Sequence, residues 1–99
     1  KAAVHHMTRV LAAELAGENI TVNAIAPGPF QSKMMAASLA EHGDEIARSV
    51  PRGRIGQPED IAGVAIFLSS RAGAYTTGAV IPCDGGISTA SRFSDLSKS

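Results

Sequence analysis

Residues 19–34 read NITVNAIAPGPFQSKM. In the first half, Ile20, Val22, Ala24 and Ala26 fall on one face and Thr21, Asn23 and Ile25 on the other. Both faces are apolar or small, the pattern of a parallel strand covered by helices on two sides. The run then stops at Pro27-Gly28. Pro27 has no N–H to give to a ladder and ends it, and Gly28 lets a backbone or ligand approach with no Cβ in the way. In open α/β sheets ligands bind outside the carboxyl ends of strands, where this break falls. Ser32 is expected to bring a hydroxyl and a helix N-terminus to the same space, which suits a phosphate or a carboxamide. An ordinary strand-to-helix loop, with Pro and Gly serving only the turn, fits the same spacing.

The chain before this strand predicts an amphipathic helix, with Val4, Met7, Leu11 and Leu15 on one face. Its alanines favour helix and permit close approach of a neighbour. Gly17 is the expected left-handed stop. After the strand, Ser32 is read as the cap of a helix through KMMAASLAEHG, and Asp44 as the cap of a shorter one ended by Pro51. Pro58 at a first helical position, followed by Glu59 and Asp60, marks a third helix with acid at its positive end. Ile61, Val64, Ala65 and Leu68 are its expected inner stripe and Gly73 its stop. TGAVIPCDGG reads as a short strand centred on Val80 and Ile81, turned out by Asp84-Gly85-Gly86. Residues 1–88 are expected to form the ordered part of one domain, and 89–99 a polar, frayed tail.

The 99 residues suit one domain, and nine basic against nine acidic side chains leave no net charge. This balance argues against a nucleic-acid footprint or a membrane-surface patch. No apolar run approaches the roughly 20 residues that span a bilayer. Cys83 is the only cysteine, which rules out an internal disulfide and predicts a reducing, cytoplasmic setting. The opening at Lys1, already inside a helical pattern, predicts that the chain is a piece of a longer protein. Two strands between helices also fall short of a self-sufficient parallel sheet.

Three segments taken together, NITVNAIAPGPFQSKM, PRGRIGQPEDIAGVAIFLSS (51–70) and YTTGAVIPCDGG (75–86), resemble the C-terminal part of a classical short-chain dehydrogenase/reductase. The motifs are N-A-I-A-P-G from Asn23, G-Q-P-E-D from Gly56 and T-G-A-V-I-P-C-D-G-G from Thr77. The order and spacing carry the resemblance, which covers all but the tail. It implies the last two strands and flanking helices of a Rossmann-like, doubly wound parallel sheet. It implies a parent enzyme that interconverts a carbonyl and an alcohol by hydride transfer with NAD or NADP. The group that reads the ribose 2′ position follows the family's second strand, upstream of the part resembled here.

The resemblance also implies residue roles. Lys1 falls where the family has the lysine of Tyr-x-x-x-Lys, which holds the nicotinamide ribose and lowers the pKa of the proton-transferring tyrosine. Pro27, Gly28, Phe30 and Ser32 match the segment lining the nicotinamide carboxamide and diphosphate; Ser32 stands where threonine is commoner. Residues 33–54 match the variable substrate lid, within which Met34, Met35 and Leu39 are candidates for an apolar substrate or for packing. The family's tyrosine, serine, asparagine and Gly-rich fingerprint have no match in these residues. One member of a catalytic tetrad and half a cofactor pocket predict no turnover by the chain alone. The alternatives are a non-catalytic oligomerisation element, since the first helix and last strand are surfaces for homodimers or homotetramers in this family, and a nucleotide-binding pseudoenzyme.

Other chemistry finds little support. His5 and His6 point about 100° apart on a helix and cannot share one metal, so no metal site is expected. Tyr75 has no lysine four residues on, Cys83 has no basic sequence neighbour, and Arg48, Arg52 and Arg54 could meet a cofactor phosphate but read rather as surface groups or partners of the acids near Glu59.

Overall fold

The computed structural model describes residues 2–90, so Lys1 and residues 91–99 of the expected tail lie outside the described residues. In order along the chain come α1 (Ala2–Leu15), β1 (Ala24–Pro27), α2 (Ala36–Ser49), α3 (Pro58–Ser69) and β2 (Val80–Cys83). β1 and β2 pair in one sheet. The Ala24 N–H donates to the Ala79 carbonyl at 2.9 Å and the Gly28 N–H to the Cys83 carbonyl at 3.1 Å. Both strands advance together along these bonds, so the pair is parallel, and α2 and α3 form the crossover that a parallel pair requires. This is the α/β, Rossmann-like arrangement expected. By contacts the chain divides into two compact units, Lys1–Ala26 with Ala62–Ile81, and Pro27–Ile61 with Pro82–Ser99.

In the first unit, α1 departs from expectation. Val4, Met7 and Leu11 are exposed, and the buried residues of α1 are Thr8 and Ala12. Ala12 neighbours Gly78, where a Cβ would lie in ordinary contact at 3.5 Å from the Ala12 Cβ. The Thr8 hydroxyl is satisfied within the helix, donating to the Val4 carbonyl at 2.8 Å. Gly17 is not the left-handed stop. It lies inside a 3₁₀ turn, Ala16–Glu18, and Asn19 takes the left-handed position at φ 63°, its N–H donating to the Ala16 carbonyl at 3.2 Å. Asparagine tolerates that conformation better than other side chains with a Cβ.

The strand predicted from Ile20 begins only at Ala24, and before it side chains share the pairing with the backbone. The Val22 N–H donates to the Thr77 hydroxyl at 3.1 Å, and the Gly78 N–H to the Val22 carbonyl at 2.8 Å. The Asn23 amide spans two partners, donating to the Thr76 carbonyl and accepting from the Ala79 N–H, both at 3.0 Å. Asn23→Ala is therefore expected to leave a half-buried donor and acceptor unpaired and to cost about 2 kcal/mol, read by urea unfolding. α3 keeps its expected half-buried side, Ile61, Val64, Ala65 and Leu68, but ends at Ser69. Gly73 instead closes a separate 3₁₀ turn, Arg71–Gly73, where its buried Cα packs on the Phe67 carbonyl.

In the second unit, the two helices expected between Ser32 and Pro51 are one helix, α2, bent at His42 (φ −127°, ψ 17°). It starts at Ala36, and Ser32 caps a preceding turn, its Oγ accepting the Met35 N–H at 3.2 Å. Pro51 ends it as expected by pushing Val50 into an extended conformation (φ −91°, ψ 125°). Val50 is 1% exposed, the most buried large side chain among the described residues. α3 starts at Pro58, where the Asp60 carboxylate reaches back to accept the Gln57 N–H at 2.7 Å, one half of a capping box.

Candidate functional site

The break at Pro27-Gly28 is built by contacts that no local signal announces. Gly28 sits so close to the loop after β2 that a Cβ on it would fall 2.7 Å from the Asp84 Cβ and 2.9 Å from its Cα. Its N–H closes the ladder on Cys83. From there the chain runs alongside the connector before α3. The Gly56 N–H donates to the Pro29 carbonyl at 2.9 Å and the Gln31 N–H to the Gly56 carbonyl at 3.0 Å, a single parallel bridge. The Phe30 ring lies on Gly56, so closely that a Cβ there would overlap the ring. Phe30 is thus positioned from both sides, by its own backbone and by a glycine that makes room for it.

Pro27, Gly28, Phe30 and Ser32 together line one open, predominantly apolar cavity of about 440 Å³, with Met35 and Ile46 of α2 and Ile61 of α3. Every described residue that the sequence singled out for cofactor contact is in its wall. Lys1, the remaining one, lies outside the described residues. Ser32 is exposed, and accepting the Met35 N–H leaves its hydroxyl proton free to be donated. The helix N-terminus expected beside it belongs to Ala36, four residues further on. Of the lid candidates, Met35 joins the wall, while Met34 is 95% exposed.

The connector is held by charge. Arg54 meets Asp60 with both prongs of its guanidinium, Nη1 to Oδ2 at 2.8 Å and Nη2 to Oδ1 at 3.1 Å. Of the three readings open from sequence, a cofactor phosphate, a surface role or pairing near Glu59, Arg54 takes the pairing, with Asp60 as partner. Hydrogen bonds from Arg54, then from the Gln57 N–H, together with the nearby charges of Arg54 and Arg52, hold the Asp60 carboxyl down from its ordinary 3.8 to about 2. A carboxylate with a lowered folded-state pKa stabilises the fold above its unfolded pKa and loses that contribution as pH falls toward the folded value. Thermal midpoints are therefore expected to drop as pH is lowered from 3.8 to about 2, and Asp60→Asn is expected to flatten that part of the profile. Asp84 is also held below its ordinary value, chiefly by hydrogen bonding to Ser88 and then by the Gly86 N–H. The sequence marks Asp84 only as a turn residue; its packing on Gly28 is a contact between segments more than fifty positions apart.

Residues 1–88 match the family model described as enoyl-(acyl carrier protein) reductase. The chain belongs to the short-chain dehydrogenase/reductase family. Among its relatives in this family is the rhamnolipid-biosynthesis 3-oxoacyl-[acyl-carrier-protein] reductase of Pseudomonas aeruginosa, 51% identical over 88 residues, covering 87% of this chain and 34% of that protein. The solved structure of the Pseudomonas aeruginosa RhlG/NADP active-site complex superposes with a TM-score of 0.80 at 49% identity, over 87% of this chain and 36% of that one. A short-chain dehydrogenase/reductase of Brucella melitensis, titled glucose/ribitol dehydrogenase, gives 0.83 at 39% identity, over 91% and 36%. The chain spans about a third of the length of the curated short-chain dehydrogenase/reductase relatives it matches. Among the described residues no helix is long and apolar enough to cross a membrane, and no group of three or more metal-binding side chains occurs.

Proposed function

We propose that this chain contributes one wall of the nicotinamide site in an NAD(P)-dependent oxidoreductase of the short-chain family. The parent enzyme would interconvert a carbonyl and an alcohol on a small molecule, in a cytoplasmic setting, and the isolated chain would not turn over. The observation that carries this reading is the convergence of Pro27, Gly28, Phe30 and Ser32 on one apolar cavity. A flat, weakly polar ring suits such walls, and the free hydroxyl proton of Ser32 suits a carboxamide oxygen at the rim. Further support comes from a relative of known structure, the Pseudomonas aeruginosa RhlG/NADP active-site complex.

In this reading the cofactor, when bound, supplies or accepts the hydride. Gly28, having no side chain, lets Asp84 pack against it and so sets the course of the segment that carries Phe30, and Phe30, seated on Gly56, keeps water from one side of the ring. Lys1 would hold the ribose and, as a cation, lower the pKa of a tyrosine contributed from outside this chain. Met35 and Ile46 would offer the substrate side an apolar surface. The exposed Val4, Met7 and Leu11 of α1 support a further role in homodimer or homotetramer assembly of the parent.

A chimera tests this. Residues 1–88 replace the matching third of the Pseudomonas aeruginosa reductase, and NADPH oxidation is followed with that enzyme's own 3-oxoacyl substrate. The chimera is expected to turn over, and Lys1→Met within it to lower kcat/KM by about 10²-fold. A folded chimera that binds no NADPH by calorimetry would sink the proposal. Micromolar NADPH binding by the 99-residue chain alone would contradict the claim that it holds only one wall.

A further inference from the structure

Phe30 also lines a second cavity, of about 220 Å³, on which Val50, Arg52, Cys83, Gly85 and Thr89 converge. It is smaller than the usual range of ligand pockets, too small for a dinucleotide and suited to a fragment-sized molecule. Four charged residues line it: Arg52, Arg54, Asp60 and Asp84. Three of them are already committed. Arg54 and Asp60 neutralise each other through two hydrogen bonds. Asp84 spends Oδ1 on the Gly86 N–H at 2.9 Å and Oδ2 on the Ser88 N–H at 3.2 Å. Arg52 is different. Its backbone N–H donates to the Gly85 carbonyl at 2.9 Å, which fixes the root of the side chain at the cavity wall. Its charge acts on Asp60 from a distance, but its guanidinium makes no ion pair among the described residues. The remaining wall is apolar, from Phe30, Val50 and Pro82.

We propose that this cavity is a second small-molecule site, which binds compact organic carboxylates with the carboxylate on Arg52 and the apolar body against Phe30 and Pro82. A guanidinium matches a planar carboxylate with two parallel hydrogen bonds, and a flat, small body is what the volume admits. Because Phe30 lines this cavity and the candidate cofactor site alike, an occupant here bears on the ring that closes the other. The proposal does not rest on the cofactor reading, and its failure would leave that reading untouched.

The test is a titration of the ¹⁵N-labelled 99-residue chain with sodium benzoate at constant ionic strength, followed by amide chemical shifts. Saturable shifts are expected at Phe30, Arg52, Cys83 and Gly85. Arg52→Gln, a change at an exposed side chain, is expected to weaken binding about tenfold or more, and Arg52→Lys to weaken it less. Benzyl alcohol has the same body without the charge and is expected to bind far more weakly than benzoate. The proposal is overturned by shifts that do not saturate, by Arg52→Gln binding as tightly as the native chain, or by benzyl alcohol matching benzoate.

Discussion

Gly85→Ala is expected to be strongly destabilising, costing about 4 kcal/mol. Two effects add. Gly85 has φ 66°, where a Cβ strains the backbone, and that Cβ would overlap Val50 Cγ1 and lie 3.3 Å from the Arg52 Cβ. Val50 cannot yield, since it is the most buried large side chain and its backbone is held extended by Pro51. Gly53→Ala separates the two effects. Gly53 has φ 82° but nothing within 4 Å of a Cβ, so strain alone applies and about 1 kcal/mol is expected. Urea unfolding of both variants, in the chain and in the chimera, gives the comparison. Equal losses at the two glycines would show that the contact with Val50 carries no weight.

Gly28→Ala is expected to cost about 3 kcal/mol, with a different signature. Here the obstacle is backbone: the Asp84 Cα at 2.9 Å as well as its Cβ at 2.7 Å. No rotamer change relieves that, so β1 and the loop after β2 must separate, lengthening the Gly28–Cys83 hydrogen bond. Amide exchange at Gly28 is therefore expected to speed up along with the loss of stability. In the chimera, NADPH affinity is expected to fall too, because the displaced segment includes Pro29 and Phe30. A variant as stable as the native chain would show that the close approach to Asp84 is not needed.

The two glycines mark where sequence reading reached its limit. Signals that act within a few residues were legible. Pro58, Glu59 and Asp60 announced α3, Pro51 announced the end of α2, and Val80-Ile81 announced β2. The strand end at Pro27-Gly28 was legible because it is a local event, and the residues picked out there, Pro27, Gly28, Phe30 and Ser32, do line one cavity. What packs where was not legible. α1 presents its apolar Val4–Met7–Leu11 side to solvent and buries Thr8 and Ala12, the latter beside Gly78, more than sixty residues away. The need for glycine at positions 28 and 56 is likewise set by Asp84 and Phe30, remote in sequence. Even the cap at Ser32 was half legible: the hydroxyl does accept a backbone N–H, but from a turn that precedes the helix.

The Asn23 amide has a consequence for alignment. A pair of four-residue strands linked by few backbone bonds is poorly protected against sliding, and a slide of two residues keeps every side chain on its proper face. Asn23 grips Thr76 and Ala79 at once, a fork whose two tips fit only one spacing along the opposite segment. Thr77 adds a third grip on Val22. Sliding by two would break all three together. Asparagine and threonine thus act as a key cut for one position, so that Pro27 and Gly28 come to rest opposite Cys83 and Asp84 every time the chain folds.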